Sequence, residues 1–288
     1  MKKKKHGGLK FLVLLIFIGG IVYLYGTYFE TSNFKTRDFK IESEKITDNF
    51  EGFTITHLSD LHYGKYLNQK DLKKIIRLIN STNPDIVVIT GDILDKNIKM
   101  TTNKSAELIE ELSKIKAESG KYVINGDEDY KFDEWDNIIN NSNFINLNNS
   151  YDTVYNHTGE AILIAGVSTF KDKESISNKL QKADEYLSSF EKNGPVYNVL
   201  LMHEPDYIDD LKDNKYDLVL AGHSLAGQIR LPWVGGLIKK DGATKYTDEH
   251  YKIKNSELYI SNGLGESSIN FRLFNSPSFN VYRLVKKN

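Results

Sequence analysis

Apolar and polar positions divide the chain into three stretches. Across residues 11–25 no charge interrupts a run of Leu, Ile, Val, Phe, Gly and Tyr, and the uncharged stretch continues to Tyr28. A bilayer core takes roughly 17–25 residues at helical rise, so this run predicts one membrane-spanning helix. Residues 30–48 are polar and predict a tether running into a first strand. Beyond them, short apolar runs alternate with amphipathic ones. Residues 53–58, 85–90, 122–125, 161–165, 196–202 and 216–221 are apolar, mostly rich in β-branched residues, and read as strands. Residues 71–79 and 106–115 carry apolar side chains at helical spacing, and a charged helix is expected over about 174–190. After Gly222 the pattern is strand-rich, with runs at 228–231, 257–260 and 279–284. Alternating strands and helices predict an α/β fold with largely parallel strands. The strand-rich end predicts a second sheet packed on the first. The Asn-rich stretch 140–149 reads as a loop.

The flanks of the apolar run give it a direction. Residues 2–5 are all lysine and Lys10 follows. The positive-inside rule keeps such a cluster in the cytoplasm and sends the remaining chain outside. Tyr23, Tyr25, Tyr28 and Phe29 fall at the far end, where aromatic rings favour the membrane interface. A cleaved signal peptide is the rival reading, but Gly26-Thr27-Tyr28-Phe29-Glu30 is a poor cleavage site. The expected organisation is cytoplasmic lysines and anchor over 1–29, tether and first strand over 30–48, and one domain over 49–288. The expected location is the cell membrane, single-pass, with the domain extracytoplasmic.

Composition narrows the chemistry. Among 288 residues, 38 Lys and Arg nearly balance 39 Asp and Glu, a net charge of -1, so nucleic acid is not an expected partner. There is no cysteine, which excludes disulfide scaffolds, thiolate metal sites and cysteine nucleophiles.

Polar residues recur where apolar runs stop. Ser59-Asp60-Leu61-His62, Gly91-Asp92, Gly126-Asp127-Glu128-Asp129, His203-Glu204-Pro205 and Gly222-His223-Ser224 each follow a strand-like run. Ligands of open α/β sheets bind at the carboxyl ends of strands. Asp60, His62, Asp92, Asp127, His203 and His223 are therefore expected to share one crevice. Carboxylates with imidazoles suit Zn, Mn, Fe or Mg, and one or two divalent ions are expected. An Asp-x-His pair or a lone histidine is common by chance; the ordered set is the specific signal. The glycines beside Asp92, Asp127 and His223 are expected to let the backbone turn sharply. His6, His57, His157 and His250 lie outside the set and read as structural or surface residues.

On these motifs, residues 52–285 resemble the calcineurin-like metallophosphoesterase superfamily. Leu58-Ser-Asp-Leu-His-Tyr-Gly64 is similar to its first motif and Thr90-Gly-Asp-Ile-Leu-Asp95 to its second. Leu201-Met-His-Glu-Pro-Asp206 is similar to the fourth, and the stretch from Ala221 through Gly222-His223 to Pro232 to part of the fifth. Ser261-Asn-Gly-Leu-Gly265 resembles a later glycine-rich loop of the bacterial membrane-associated branch related to UDP-2,3-diacylglucosamine pyrophosphohydrolases. The resemblance implies a four-layer αββα sandwich and a two-metal centre. Asp60, His62 and Asp92 would hold one ion. Asp92 would bridge to a second, held by Asp127, His203 and His223.

Against that pattern the third motif reads Gly126-Asp127-Glu128-Asp129 instead of Gly-Asn-His-acid, and the fifth reads Gly222-His223-Ser224-Leu225 instead of Gly-His-x-His. Asp127 can still bind metal, Glu128 stands where a catalytic histidine is expected, and Leu225 cannot coordinate. Glu128 is expected to act as general acid if burial or Asp129 raises its pKa. Arg230 and Arg272 are candidate phosphate contacts, since guanidinium groups match phosphate oxygens. The implied activity is metal-dependent hydrolysis of a phosphodiester, phosphomonoester or pyrophosphate, on a phosphorylated small molecule or lipid-linked substrate. A degenerate fold that binds metal or a partner without hydrolysis is the alternative.

Overall fold

The computed structural model describes residues 6–156, 158–190, 194–212 and 215–287; the lysines at 2–5 and His157 lie outside the described residues. The strands are β1 (Lys35–Ser43), β2 (Thr54–Leu58), β3 (Ile86–Thr90), β4 (Gly120–Ile124), β5 (Ile145–Asn146), β6 (Ser150–Tyr155), β7 (Ala161–Gly166), β8 (Tyr197–Leu201), β9 (Leu218–Ala221), β10 (Arg230–Leu231), β11 (Gly235–Gly236), β12 (His250–Ile253), β13 (Ser256–Ile260) and β14 (Ser278–Lys286). The helices are α1 (His6–Leu24), α2 (Gln69–Asn80), α3 (Thr102–Ser113), α4 (Trp135–Asn141), α5 (Ile176–Lys179) and α6 (Gln181–Ser188).

Two six-stranded sheets form, ordered β1-β14-β2-β3-β4-β5 and β12-β13-β9-β8-β7-β6. Side-chain alternation explains why they stack. Ile86 and Val88 of β3 join a core shared with Ile162 and Ile164 of β7 and with Leu218 and Leu220 of β9. Their neighbours Val87 and Ile89 face the other way, onto Leu72, Ile75 and Ile79 of α2 and Leu108 and Leu112 of α3. Leu163, Ala165 and Val219 pack with Ile176 of α5 and Ala183 of α6. Strands apolar on both faces are covered on both sides, giving the expected αββα order.

The polar stretch after the apolar helix is more than a tether. Lys35 to Ser43 pair in parallel with Ser278 to Lys286, so the first sheet begins before residue 49. The first strand expected in this stretch is this edge strand, and its burial alternates only weakly. The charged helix expected near 174–190 is split into α5 and α6.

Helix α1 continues through a wide turn at Tyr25–Phe29 and a tight one at Glu30–Ser32. The stretch Gly8–Ser32, 25 residues, is long and apolar enough to cross a membrane, and its central side chains are exposed.

His57 on β2 is structural, as expected. It is wholly buried, shares a hydrogen bond with Thr90 Oγ1 (2.7 Å), and burial pushes its pKa down to about 3. A histidine held neutral by folding favours the native state only above its unfolded pKa of about 6.5, and that stability is lost as pH falls toward about 3. Between pH 7 and pH 5 the loss from this group is about 2 kcal/mol. Urea unfolding at both pH values should show the stability gap between wild type and His57→Gln shrinking by about that amount. An unchanged gap would show that His57 titrates alike in both states.

Candidate metal centre

The strand ends deliver their polar residues to one crevice. β2, β3 and β4 of the first sheet lead into Asp60 and His62, Asp92, and Asp127. β8 and β9 of the second sheet lead into His203 and His223. The loops after β2 and β3 stay paired past the strands: Asp60 N donates to Gly91 O and His62 N to Asp92 O. All six predicted ligands are thereby brought together.

They form two overlapping groups, Asp92-Asp127-His203-His223 and Asp60-His62-Asp92. In the first, His203 Nε2 lies 3.3 Å from Asp92 Oδ2 and 3.5 Å from Asp127 Oδ1, and His223 Nδ1 lies 3.1 Å from Asp127 Oδ1. A tetrahedral ion with ligands at about 2.0–2.1 Å has ligand edges of about 3.4 Å, so these spacings fit one. In the second, His62 Nε2 lies 3.7 Å from Asp60 Oδ1 and 3.9 Å from Asp92 Oδ2, a wider shell. The same Asp92 oxygen faces both groups.

The donor atoms themselves are the fit test for metal. Asp60 Oδ1, His62 Nε2, Asp92 Oδ2, His203 Nε2 and His223 Nδ1 are buried with no hydrogen-bond partner among the described residues. Buried polar atoms are normally satisfied, and unpaired ones cost free energy. Divalent cations held in the two groups would satisfy all five.

Each histidine is aimed by its other nitrogen. His203 Nδ1 donates to Thr90 O (2.6 Å), His223 Nε2 to Asp241 O (2.8 Å), and His62 Nδ1 to Glu128 Oε2 (3.2 Å). This fixes the tautomer that leaves the inward nitrogen free to coordinate.

The backbone is bent to fit. Asp60, His62, Asp92 and His223 all have positive φ, from 45° to 64°. Such conformations cost of order 1–3 kcal/mol and gather where the surroundings over-determine them. Sharp turning explains Gly91, at φ 92°. Gly126 and Gly222 are required by space instead. A Cβ on Gly126 would lie 2.2 Å from Asp92 Oδ1, and one on Gly222 1.9 Å from Ser59 Oγ.

Protons compete for this site when no cation is present. Burial opposes charge on His203, but Asp92 and Asp127 outweigh it and hold its imidazolium well above the ordinary range. Asp127 is likewise held low despite burial, by the imidazoles of His203 and His223 that face it.

The expected catalytic pair takes other roles. Burial opposes the charge of Glu128, yet the hydrogen bond from His62 and the backbone N–H of Lys96 (2.8 Å) keep its pKa lowered. The condition set for Glu128 as general acid, a raised pKa, is not met, and it is Asp129 that rises, to about 7, through burial and then Asp92. Asp129 accepts from the N–H groups of Ile93 (3.2 Å), Leu94 (2.9 Å) and Gly126 (3.0 Å), pinning two ligand loops together. With both oxygens engaged, it acts as a clamp between these loops.

The arginine expectations are corrected as well. Arg272 is wholly buried and spends its donors on Glu266 and the carbonyls of Asn262, Gly263, Gly265 and Asn275. Arg230 binds Ala226 O, Thr247 O and Asp248, and opens onto a cavity of about 680 Å³ whose lining holds none of the six ligands.

Leu225 is buried at φ 52°, and its carbonyl accepts from Asn275 Nδ2 (2.7 Å). A Cβ on Gly263 would meet both Leu225 Cδ2 (2.2 Å) and Asp60 Cβ (3.1 Å), so Leu225 forms an apolar wall beside Asp60. Three further residues escaped the sequence reading. Asp95 groups with His62 and Glu128, Asp241 orients His223 through its carbonyl, and the charge of Lys240 helps hold Asp60 ionised against burial. Asp95 closes a recognised motif and was legible there; the other two act from a loop with no motif.

The calcineurin-like phosphoesterase profile matches residues 53–227. The protein called uncharacterized metallophosphoesterase YkuE, of Bacillus subtilis strain 168, is 30% identical over 92% of this chain and 91% of its own length. Uncharacterized metallophosphoesterase YkoQ of the same organism is 27% identical over 95% and 97%. A Danio rerio transmembrane protein with metallophosphoesterase domain is 27% identical over 77% of this chain and 52% of its own length.

The two groups should differ in affinity, because one offers four protein ligands and the other three beside Leu225. After dialysis against limiting Mn²⁺, elemental analysis should find the wild type nearer one ion than two per chain. Leu225→His supplies an imidazole at that wall, and histidine tolerates positive φ better than leucine, so occupancy should rise. Asp92→Ala removes the shared oxygen and should take it below one. Equal occupancy in wild type and Leu225→His would contradict the assignment of Leu225 as the limiting wall.

Proposed function

The chain belongs to the calcineurin-like phosphoesterase family and is a metal-dependent hydrolase of phosphoester bonds, and from that premise we propose that its substrate is a lipid-linked or envelope phosphoester or pyrophosphate, cleaved at the outer face of the membrane that α1 crosses. The observation that carries the hydrolytic site is the convergence of four unpaired buried donor atoms around a fifth, the shared Asp92 oxygen. The outer-face reading is supported by the exposed apolar helix and by the lysines that precede it. The motif resemblance to the UDP-2,3-diacylglucosamine pyrophosphohydrolase branch supports a lipid-linked phosphate. Anchoring raises the effective concentration of membrane-bound substrate.

When bound, divalent ions polarise the phosphoryl oxygen and lower the pKa of water toward neutrality. The chain's residues do the rest. Asp92 holds the two groups in register, and Thr90, Asp241 and Glu128 keep the imidazoles aimed inward. Lys240 brings a positive charge toward the crevice, where it offsets charge on the substrate phosphoryl group. Glu128 is held as a carboxylate and so does not protonate a leaving group. A missing general acid costs about 10²–10⁴-fold, which falls on esters with poor leaving groups.

With the full chain in detergent or vesicles, Mn²⁺-dependent turnover should therefore be higher on bis(p-nitrophenyl) phosphate than on dialkyl esters by at least about that factor, because the missing acid adds to the intrinsic difference between the leaving groups. Asp92→Ala should abolish it. Lys240→Ala should raise KM more than it lowers kcat. No metal-dependent turnover above Asp92→Ala, on phosphodiesters, phosphomonoesters and pyrophosphates alike, would overturn the proposal in favour of a fold that binds without cleaving.

A further inference from the structure

The segment between His223 and Asp241 leaves the ligand cluster, forms the β10–β11 hairpin and returns to it. Asp241 O holds His223 Nε2 at 2.8 Å, so both ends of the excursion are fixed at the site. The hairpin reads Arg230-Leu-Pro-Trp-Val-Gly-Gly-Leu-Ile-Lys-Lys240, with apolar residues at its tip and cations at its base. Trp233 is fully exposed, and Val234 and Leu237 are exposed beside it. A tryptophan without contacts is unusual in a chain that buries its other one, Trp135, to 5% exposure.

The base of the hairpin is bonded to the loop that seats the anchor. Arg230 N donates to Leu273 O (2.9 Å), and Gln228 Nε2 donates to Ile269 O (2.9 Å) and Phe271 O (3.0 Å). That loop grips the end of the apolar helix. Arg272 N donates to Gly26 O (3.1 Å), and Phe271 stacks on Tyr23 with centroids 6.3 Å apart. A Cβ on Gly26 would strike the Phe271 ring at 2.3 Å. Ile269 and Phe274 of the same loop are exposed. The hairpin that carries the exposed Trp233, Val234 and Leu237 is thus bonded at its base to the loop that carries Ile269 and Phe274 and holds the end of the apolar helix. Contiguous exposed apolar surface marks an interaction site, and tryptophan flanked by lysine favours a membrane interface.

We propose that the hairpin at residues 230–237, with Ile269 and Phe274, is a second membrane contact that inserts into the interface of the leaflet beside the span and holds the His223 loop at the lipid surface. The inference rests on the reading of α1 as a membrane span. Its occupant is lipid, because the hairpin is bonded to the loop that holds the end of that span. It implies a substrate whose phosphate sits at headgroup depth while its apolar part stays in the leaflet.

The test uses the full chain in phosphatidylcholine vesicles carrying anionic lipid. Trp135→Phe leaves Trp233 as the only tryptophan, and subtracting the spectrum of Trp233→Phe from wild type gives the same signal without touching the core. Flotation reports the anchor separately. Co-flotation, a blue-shifted Trp233 emission, loss of that emission with phosphatidylcholine brominated near the glycerol end, and protection from iodide are the expected results. Co-flotation with iodide-accessible, bromolipid-insensitive Trp233 would overturn the hairpin contact and leave the anchor standing. Co-flotation with Trp233 shielded from both quenchers would overturn it in favour of a protein partner on this surface. Failure to float would overturn the anchor and the inference with it.

Discussion

The site is organised by one electrostatic constraint: carboxylates and imidazoles are buried together where two sheets end. Asp60, His62, Asp92 and His203 are all wholly buried. Charges in that setting are tolerated only when paired or coordinating a cation. Other features at the crevice follow from meeting this condition. Three histidines are each pinned by an outer acceptor, so that the inner nitrogen is free. Four ligands adopt left-handed backbone. Two glycines clear room for carboxylate and hydroxyl oxygens.

The two halves of the centre are unequal. The group around His203 and His223 is compact and has four donors. The group around Asp60 is wider and is closed on one side by Leu225. Leucine at positive φ is strained, and here it is kept in place by packing on Gly263 and by Asn275 holding its carbonyl. Glu128 offsets some of the loss by orienting His62, which raises the basicity of the coordinating nitrogen. The centre is best described as one firm ion position and one weaker one, sharing Asp92.

The fold also ties its apolar helix closely to this centre. The helix end is gripped by the loop before β14, and the chain then enters β1, which lies along β14 itself. Arg272, fully buried in that loop, bonds five acceptors and so stiffens the connection. The strand expected in the polar stretch after the helix is an edge strand, and its partner was not legible, because pairing with β14 depends on backbone groups that side-chain patterning does not record.

The sequence by itself determined the apolar helix, the alternation of buried strands with helices, and the six candidate ligands. Each of these is written locally, as a long uncharged run, as a short-period apolar pattern, or as a polar residue placed where a strand stops. Only the tertiary structure decided what surrounds the ligands. Glu128 and Asp129 are adjacent in sequence, yet one turns to His62 and becomes more acidic while the other is buried beside Asp92 and becomes less so, in spite of the three backbone N–H groups it accepts from. Arg272 carries a phosphate-binding side chain but is consumed by its own loop, and Lys240 and Asp241 reach the crevice from a loop with no motif. The physical reason is that a residue's type sets which bonds it can make, while packing across sequence-distant loops sets which of them it makes.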